Sequence, residues 1–384
     1  MRITLVMGFF LPVPALQGGS TEKIWLRLGE HMAAAGHQIT VVSRTWPGLP
    51  DRECHGLLRH ERCPGWNHTR SLWRNLWLDL RWGRRVRDRL PEGDVVVCNA
   101  VTLPIRLRRT RPSAGRVAVV LGRMPKGQVR AYGDVDLILA TSEAVAARAL
   151  RENPRVATKI VRFPNPIDWD LHQRASHQAS GKALLEIGYV GRIHPEKGLE
   201  QFLEAGCQLR SRTDLPDWRI SLTGPVSVVQ GGGGEAYRDW LLTRYGGPLG
   251  DRLQIHSPVF DPVELAKIYG GFEIFCYPSR AAKGEGLSIA PLEAMAAGAV
   301  PLVSQLACYR DVIVDGDNGL TFDQEGPDAA GRIAELIAGL LTDPVRRQRL
   351  ARTAQSDVRR YDYAESSRQL LTAFARLTGK SGKP

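Results

Sequence analysis

Short apolar runs of strand length alternate along this chain with longer segments whose apolar residues recur at helical spacing. Residues 2–6 read as a first strand, and Pro12 and Pro14 keep the loop 8–19 out of a helix. Ser20 is expected to cap a helix that Glu22 and Lys23 open and that Gly36 stops. Residues 38–43 form the next strand, so the chain starts as a βαβ unit with Gly18 and Gly19 at its first strand-to-helix turn. Further strands are expected at 94–98, 116–121 and 135–140, followed by a helix over 142–151. A polar stretch rich in Ser, His and Gln runs from Pro164 to Lys182 and reads as a linker. A second series then places strands at 183–190, 220–223, 254–255, 274–277, 300–303 and 319–322. Two such βα series predict an α/β protein with two Rossmann-like domains facing across a cleft. The expected division is 1–170, a linker at 171–182, a second domain at 183–355 and a helical tail at 356–384.

Composition narrows the class only modestly. A hydrophobic share of 43% and a charged share of 24% over 384 residues suit a globular chain. No apolar run reaches about eighteen residues, so a spanning helix is not expected. The six cysteines form no C-x-x-C pair and suit a reducing cytosol. Cys54, His55, His60, Cys63 and His68 cluster, but their spacing fits no zinc pattern and reads as a surface loop. Gly231–Gly234 reads as a flexible loop. The net charge of +12 calls for an anionic partner: nucleic acid, a lipid surface or a phosphorylated substrate.

The candidate chemistry lies in the second half. Between a strand at 273–279 and a helix, Glu285 stands at the turn Gly286-Leu287-Ser288 that leads into the helix N-terminus, and Glu293 lies further into the helix. Backbone N–H groups and the helix dipole there favour a phosphate, while the two carboxylates would accept hydrogen bonds from sugar and ribose hydroxyls. Arg192 and Lys197 follow a strand end, and a guanidinium with an ammonium suits a diphosphate leaving group. Solvated side chains in a turn and on a helix are the bland alternative.

These elements together resemble glycosyltransferase family 4, retaining enzymes of the GT-B fold. The segment 285–293 is similar to the family's E-x7-E element, and Gly191-Arg192-Ile193-His194-Pro195-Glu196-Lys197-Gly198 to its basic donor motif. Gln17-Gly18-Gly19-Ser20, Gly36-His37 and Asp315–Leu320 match in the same order. The resemblance implies a nucleotide-sugar donor, with Arg192, Lys197 and Glu285 catalytic, Glu285 against the donor sugar and Glu293 on the ribose. It implies donor contacts from Gly18, Gly19, Gly224, Gly286, Leu287 and Ser288, and base contacts from Val259 and Phe260, for which core packing is the alternative. It implies no cofactor and no metal, so the D-x-D triplets Asp134/Asp136, Asp168/Asp170 and Asp315/Asp317 are expected to hold none. It also implies that the last helix crosses back to the first domain. The chain departs from the family pattern in three places: Ser288 and Ser257 stand where glycine is common, and no histidine follows the strand 116–121.

The acceptor side turns on residues 66–90. As a helix, this stretch sets Trp73 and Trp77 with Leu76 and Leu80 on one face, and Arg70, Arg74, Arg81 and Arg85 on another. A basic, tryptophan-bearing helix suits an anionic membrane interface and a lipid-linked acceptor; an ordinary helix with its Trp face packed inward is the alternative. The expectation is a retaining, metal-independent glycosyltransferase of bacterial cell-envelope glycan or glycolipid synthesis, cytoplasmic and peripheral on the inner face of the membrane. A soluble acceptor in secondary metabolism is the second reading. A nucleic-acid-binding protein is the reading from a different class, and no nucleic-acid partner is expected.

Overall fold

The computed structural model describes residues 1–69, 71–176, 184–282 and 284–380. The chain divides into two compact units. The first comprises Met1–Pro166 together with the C-terminal segment from Tyr363 onward, and the second is Ile167–Asp362.

The first unit is built on an eight-stranded sheet in the order β3-β4-β2-β1-β5-β6-β7-β8. Its strands are β1 Arg2–Val6, β2 Gln38–Arg44, β3 Arg52–His55, β4 Leu58–Cys63, β5 Val95–Cys98, β6 Arg116–Leu121, β7 Leu137–Ala140 and β8 Ile160–Arg162. All pairs are parallel except β3 with β4. β5 is buried throughout, and β1 from its second residue, as parallel strands covered on both faces must be. The Ser20–Ala34 helix starts from Gly19, not from a Ser20 cap. Gly19 holds a left-handed φ of 107°, which makes Ser20 the first helical residue. The C-terminal helix Tyr363–Thr378 packs in this unit against Ser20–Ala34, with the Tyr363 ring stacked on His31 at 6.1 Å.

The second unit carries a six-stranded, wholly parallel sheet in the order β11-β10-β9-β12-β13-β14. These strands are β9 Leu185–Val190, β10 Trp218–Thr223, β11 Leu253–His256, β12 Ile274–Tyr277, β13 Val300–Ser304 and β14 Leu320–Phe322.

Three further expectations about the fold need correction. The Cys54–Cys63 region is no loop but the β3–β4 hairpin. Its inward positions include His60 and Arg62, both buried, and polar residues facing inward hide the strand pattern. Arg62 is satisfied by the Val13 and Pro50 carbonyls and by Glu53. The stretch read as a linker contains the helix Trp169–Ala175, capped by Asp168, whose Oδ1 accepts from the Leu171 N–H at 3.1 Å; residues 177–182 of it lie outside the described residues. The unit boundaries fall at Pro166/Ile167 and Asp362/Tyr363, not at 170 and 355.

Candidate active site

In the second unit the strand order reverses at β9: β10 pairs on one side of it and β12 on the other. Ligands of open parallel sheets gather at the carboxyl ends of strands flanking such a reversal. The loop leaving β9 carries Arg192 and Lys197, and the loop leaving β12 carries Glu285. Within the first loop, His194 Nδ1 accepts from the Glu196 N–H at 3.2 Å and fastens the turn Pro195–Lys197. Gly198 ends that turn at φ +67°, and a Cβ there would lie 2.0 Å from the Pro278 carbonyl oxygen. Only glycine lets the β9 loop press against the exit of β12.

This contact seats Lys197, which is 5% exposed. Its Nζ donates to Glu285 Oε2 at 2.7 Å and to the Tyr277 hydroxyl oxygen at 2.9 Å, and lies 5.1 Å from the Tyr277 ring centroid. Ser279 Oγ donates to the same Glu285 oxygen at 3.0 Å. A buried ammonium has to be paired, and a carboxylate, a phenol oxygen and a ring face do so here. Burial and the charge of Glu285 push the Tyr277 hydroxyl far above its ordinary pKa, so it stays protonated. Its ring stacks on Tyr189, whose hydroxyl donates to the Arg192 carbonyl at 2.9 Å.

Arg192 is ion-paired with Glu196 and donates from Nη1 to the Gly231 carbonyl at 2.9 Å. Burial pushes the Glu196 carboxyl up, but the Arg192 and Lys197 charges outweigh it and hold the group below its ordinary range. The glycine run expected as a flexible loop is therefore pinned to the site. The Gly233 N–H donates to the Ile193 carbonyl and the Gly234 N–H to the Val226 carbonyl, each at 2.8 Å. Gly224, at the end of β10, touches Gly191: a Cβ there would lie 1.8 Å from the Gly191 carbonyl oxygen. Ser288 precedes the helix Ile289–Ala296 without capping it by its side chain. Gly286 and Leu287 are buried in the turn before it. Beyond β11, Phe260 is 38% exposed, so core packing does not account for it, and Val259 is half-buried.

Glu293 lies apart from the Lys197 cluster's hydrogen bonds, in the second turn of its helix and 2% exposed. Its Oε1 is 3.6 Å from Nε2 of His172, a residue that the linker reading passed over. Tyr277 and Ser279, two further partners of the site, stand at a strand end whose apolar run alone gave no sign of a role. Each D-x-D triplet has structural work of its own. Asp134 pairs with Arg109, Asp136 with Arg108 and Arg116, Asp168 caps a helix, and Asp315 accepts from the Thr321 N–H. No group of three metal-ligating side chains forms among the described residues.

In the first unit, Gly18 and Gly19 both take left-handed φ angles, 76° and 107°. Glu22 folds back under them: a Cβ on Gly19 would lie 2.4 Å from its Oε2. Burial pushes the Glu22 carboxyl up to about 7, against the opposing pull of its own backbone N–H and of Arg123. Arg123 follows the strand where the family pattern has its histidine.

The basic stretch forms the helix Leu72–Arg87. Its packed face is Leu78, Trp82 and Val86, with Trp82 Nε1 donating to the Met7 carbonyl at 3.0 Å. Trp73 is 81% exposed and Trp77 53%, and Leu72, Leu76 and Leu80 are exposed with them, so this face does not pack inward. Arg81 lies 4.7 Å over the Trp77 ring, Arg85 lies 4.7 Å over Trp66, and Arg74 is exposed. Arg70 lies outside the described residues. No helix among the described residues is long and apolar enough to cross a membrane.

Two units, each built on a largely parallel sheet, one of them with an Arg, a Lys and a Glu at its strand-order reversal, have the GT-B architecture of nucleotide-sugar glycosyltransferases. Two family models match the chain: "Glycosyl transferases group 1" over residues 173–357 and "Glycosyltransferase Family 4" over residues 21–171. The chain belongs to glycosyltransferase family 4. It is 24% identical to a phosphatidyl-myo-inositol mannosyltransferase of Mycobacterium tuberculosis, across 100% of this chain and 99% of that protein. It is 25% identical to a D-inositol 3-phosphate glycosyltransferase of Xylanimonas cellulosilytica, across 86% of this chain and 78% of that protein. Among solved structures, sucrose-phosphate synthase of Thermosynechococcus elongatus superposes with a TM-score of 0.79 at 20% identity, covering 99% of this chain and 100% of that one.

Proposed function

We propose that this glycosyltransferase moves a sugar, with retention and without a metal, from a nucleoside diphosphate to a hydroxyl of a lipid-borne acceptor at an anionic membrane surface. The observation that carries the donor half is the buried Lys197 held between Glu285 and Tyr277 at the sheet reversal. In this reading the diphosphate draws Arg192 from Glu196 and Lys197 from Glu285, and Glu285 then accepts from a donor-sugar hydroxyl. The bond between the anomeric carbon and the leaving phosphate oxygen breaks as the acceptor oxygen bonds the same carbon. The acceptor proton passes to the leaving phosphate. Arg192, Lys197 and the N-terminus of the Ile289–Ala296 helix stabilise the charge that develops there. Glu293 takes the ribose hydroxyls, and Val259 and Phe260 flank the base.

The acceptor half rests on the outward Trp73 and Trp77 among arginines, the arrangement of an interfacial helix. The phosphatidylinositol acceptor in the name of the mycobacterial relative is of the same kind. A soluble sugar- or cyclitol-phosphate acceptor, of the kind the inositol 3-phosphate in the name of the Xylanimonas relative represents, is the second reading. A panel of nucleoside-diphosphate sugars with phospholipid and sugar-phosphate acceptors, read by product mass and anomeric NMR couplings, tests both halves. A retained glycolipid product formed in excess chelator is expected; an inverted product would overturn retention, and a product on sugar phosphate alone the lipid reading.

A further inference from the structure

His172 and Glu293 meet where three helices of the second unit pack: Trp169–Ala175, Pro262–Gly270 and Ile289–Ala296. His172 is 1% exposed, and among the described residues neither ring nitrogen has a hydrogen-bond partner. Its Nε2 stands 3.6 Å from Glu293 Oε1, within ion-pair range but too long for a hydrogen bond. The ring meets Tyr269 edge-on, with centroids 5.4 Å apart. Burial and the Glu293 charge, with a hydrogen bond to that carboxylate, keep the Tyr269 hydroxyl protonated.

The His172 helix is fixed tightly against its neighbours. A Cβ on Gly270 would lie 2.0 Å from the Ala175 carbonyl oxygen, and one on Gly298 2.7 Å from Ser176 Oγ. Trp169 Nε1 donates to the Gln355 carbonyl at 3.0 Å, and Gln355 Nε2 donates to the Ala296 carbonyl at 2.8 Å, at the end of the Glu293 helix. With both helices held, closing the 3.6 Å gap falls to side-chain rotation of His172 and Glu293. Packing alone gives no reason for an imidazole with two unsatisfied nitrogens to be buried beside a carboxylate, since such groups are costly and rare.

We propose that His172 is a positioning residue for nucleotide recognition: with Tyr269 it fixes the Glu293 carboxylate so that its other oxygen meets the vicinal hydroxyls of the donor ribose. This rests on the reading of Glu293 as the ribose contact. Closure of the Nε2–Oε1 gap accompanies ribose binding, and the histidine never touches the ligand.

The test compares the affinity of the full chain for UDP, GDP and ADP with that for their 2′,3′-dideoxy counterparts, by calorimetry. A hydrogen bond to a charged group predicts about tenfold or more in favour of the ribonucleotide that binds. His172→Phe should bring that ratio to about twofold or less while leaving the dideoxy affinity within about twofold of the native chain, as loss of the oriented contact alone requires. His172→Ala should lose the ratio and regain it with added imidazole, which decides the matter if His172→Phe does not fold. Equal weakening of both ligands in these variants would mean a structural role and overturn the proposal. A native ratio in the His172 variants with a lost ratio in Glu293→Gln overturns the histidine's role but keeps the ribose contact. A native ratio in Glu293→Gln, or no binding of any of the three diphosphates, removes the ribose reading and the proposal with it.

Discussion

Replacing Lys197 with Ala separates the catalytic reading of the site from a structural one. Nζ lies 2.7 Å from Glu285 Oε2, with side-chain exposures of 6% and 13% for the two residues, so the variant deletes a largely desolvated charge. A preorganised group that stabilises developing charge contributes about 2.7–4 kcal/mol, which is roughly 10²–10³ in kcat. The variant also leaves Glu285 Oε2 with the Ser279 hydroxyl as its donor. Stripping one partner from a fully buried pair costs about 3–5 kcal/mol. Partial exposure of Glu285 and the remaining Ser279 donor reduce this to about 1–3 kcal/mol of stability. The double variant Lys197→Ala/Glu285→Gln removes the orphaned charge and should recover most of that stability. It should recover none of the activity, because the cation meant for the diphosphate is still missing. Urea unfolding gives the first quantity, and initial rates at saturating donor, read by product mass, give the second. A folded Lys197→Ala enzyme with near-native kcat, or a double variant that regains turnover, would refute the argument and leave the pair as a structural staple.

Glu22 titrates at about 7 in the fold against an ordinary 4.5, so the native chain holds a proton that the unfolded chain releases between those values. Stability therefore falls as pH rises through that window, by about 3 kcal/mol in total. Glu22→Gln should match the native chain near about pH 4 and exceed it by about 3 kcal/mol near about pH 8 in denaturant unfolding, and a pH-independent difference would contradict the buried carboxyl. Replacing Trp73 and Trp77 by Ser should abolish sedimentation with anionic liposomes at low salt and leave nucleoside-diphosphate affinity unchanged; liposome binding that persists would move the interface elsewhere. High salt should weaken binding of the native chain, since the arginine contribution is screened within about a Debye length. If Arg192 and Lys197 supply the positive charge at the diphosphate, as proposed, activity should survive excess chelator, and loss of turnover on chelation would refute that assignment.

The strand framework was legible because buried parallel strands are near-continuous apolar runs, as in β5 and β12. The hairpin β3–β4 was not, since the inward positions of β4 include His60 and Arg62, which earn their burial through partners remote in sequence: Arg62 reaches the Val13 carbonyl, 49 positions away. The helix Trp169–Ala175 was missed for a related reason: its seven residues are too few to show a period, and its place is set by contacts to Gln355 and Asp362. Motif order singles out Arg192, Lys197 and Glu285 as candidates, but does not show the Lys197–Glu285 pairing. Lys197 and Glu285 stand 88 positions apart and meet because β9 and β12 are neighbours at the reversal, a fact of topology that no local spacing contains. The Leu72–Arg87 helix shows the same limit from the other side. Its apolar residues occupy two faces, and helical periodicity places both without ranking them. What decides is the Met7 carbonyl at the end of β1, which takes the Trp82 indole N–H and turns that face inward. Trp73 and Trp77, a little over two turns and one turn earlier, are thereby turned out with Arg74 and Arg81 beside them. Exposed apolar and aromatic side chains grouped in this way mark interaction sites, so the packing that buries Leu78, Trp82 and Val86 also presents the face on which the proposed membrane contact rests.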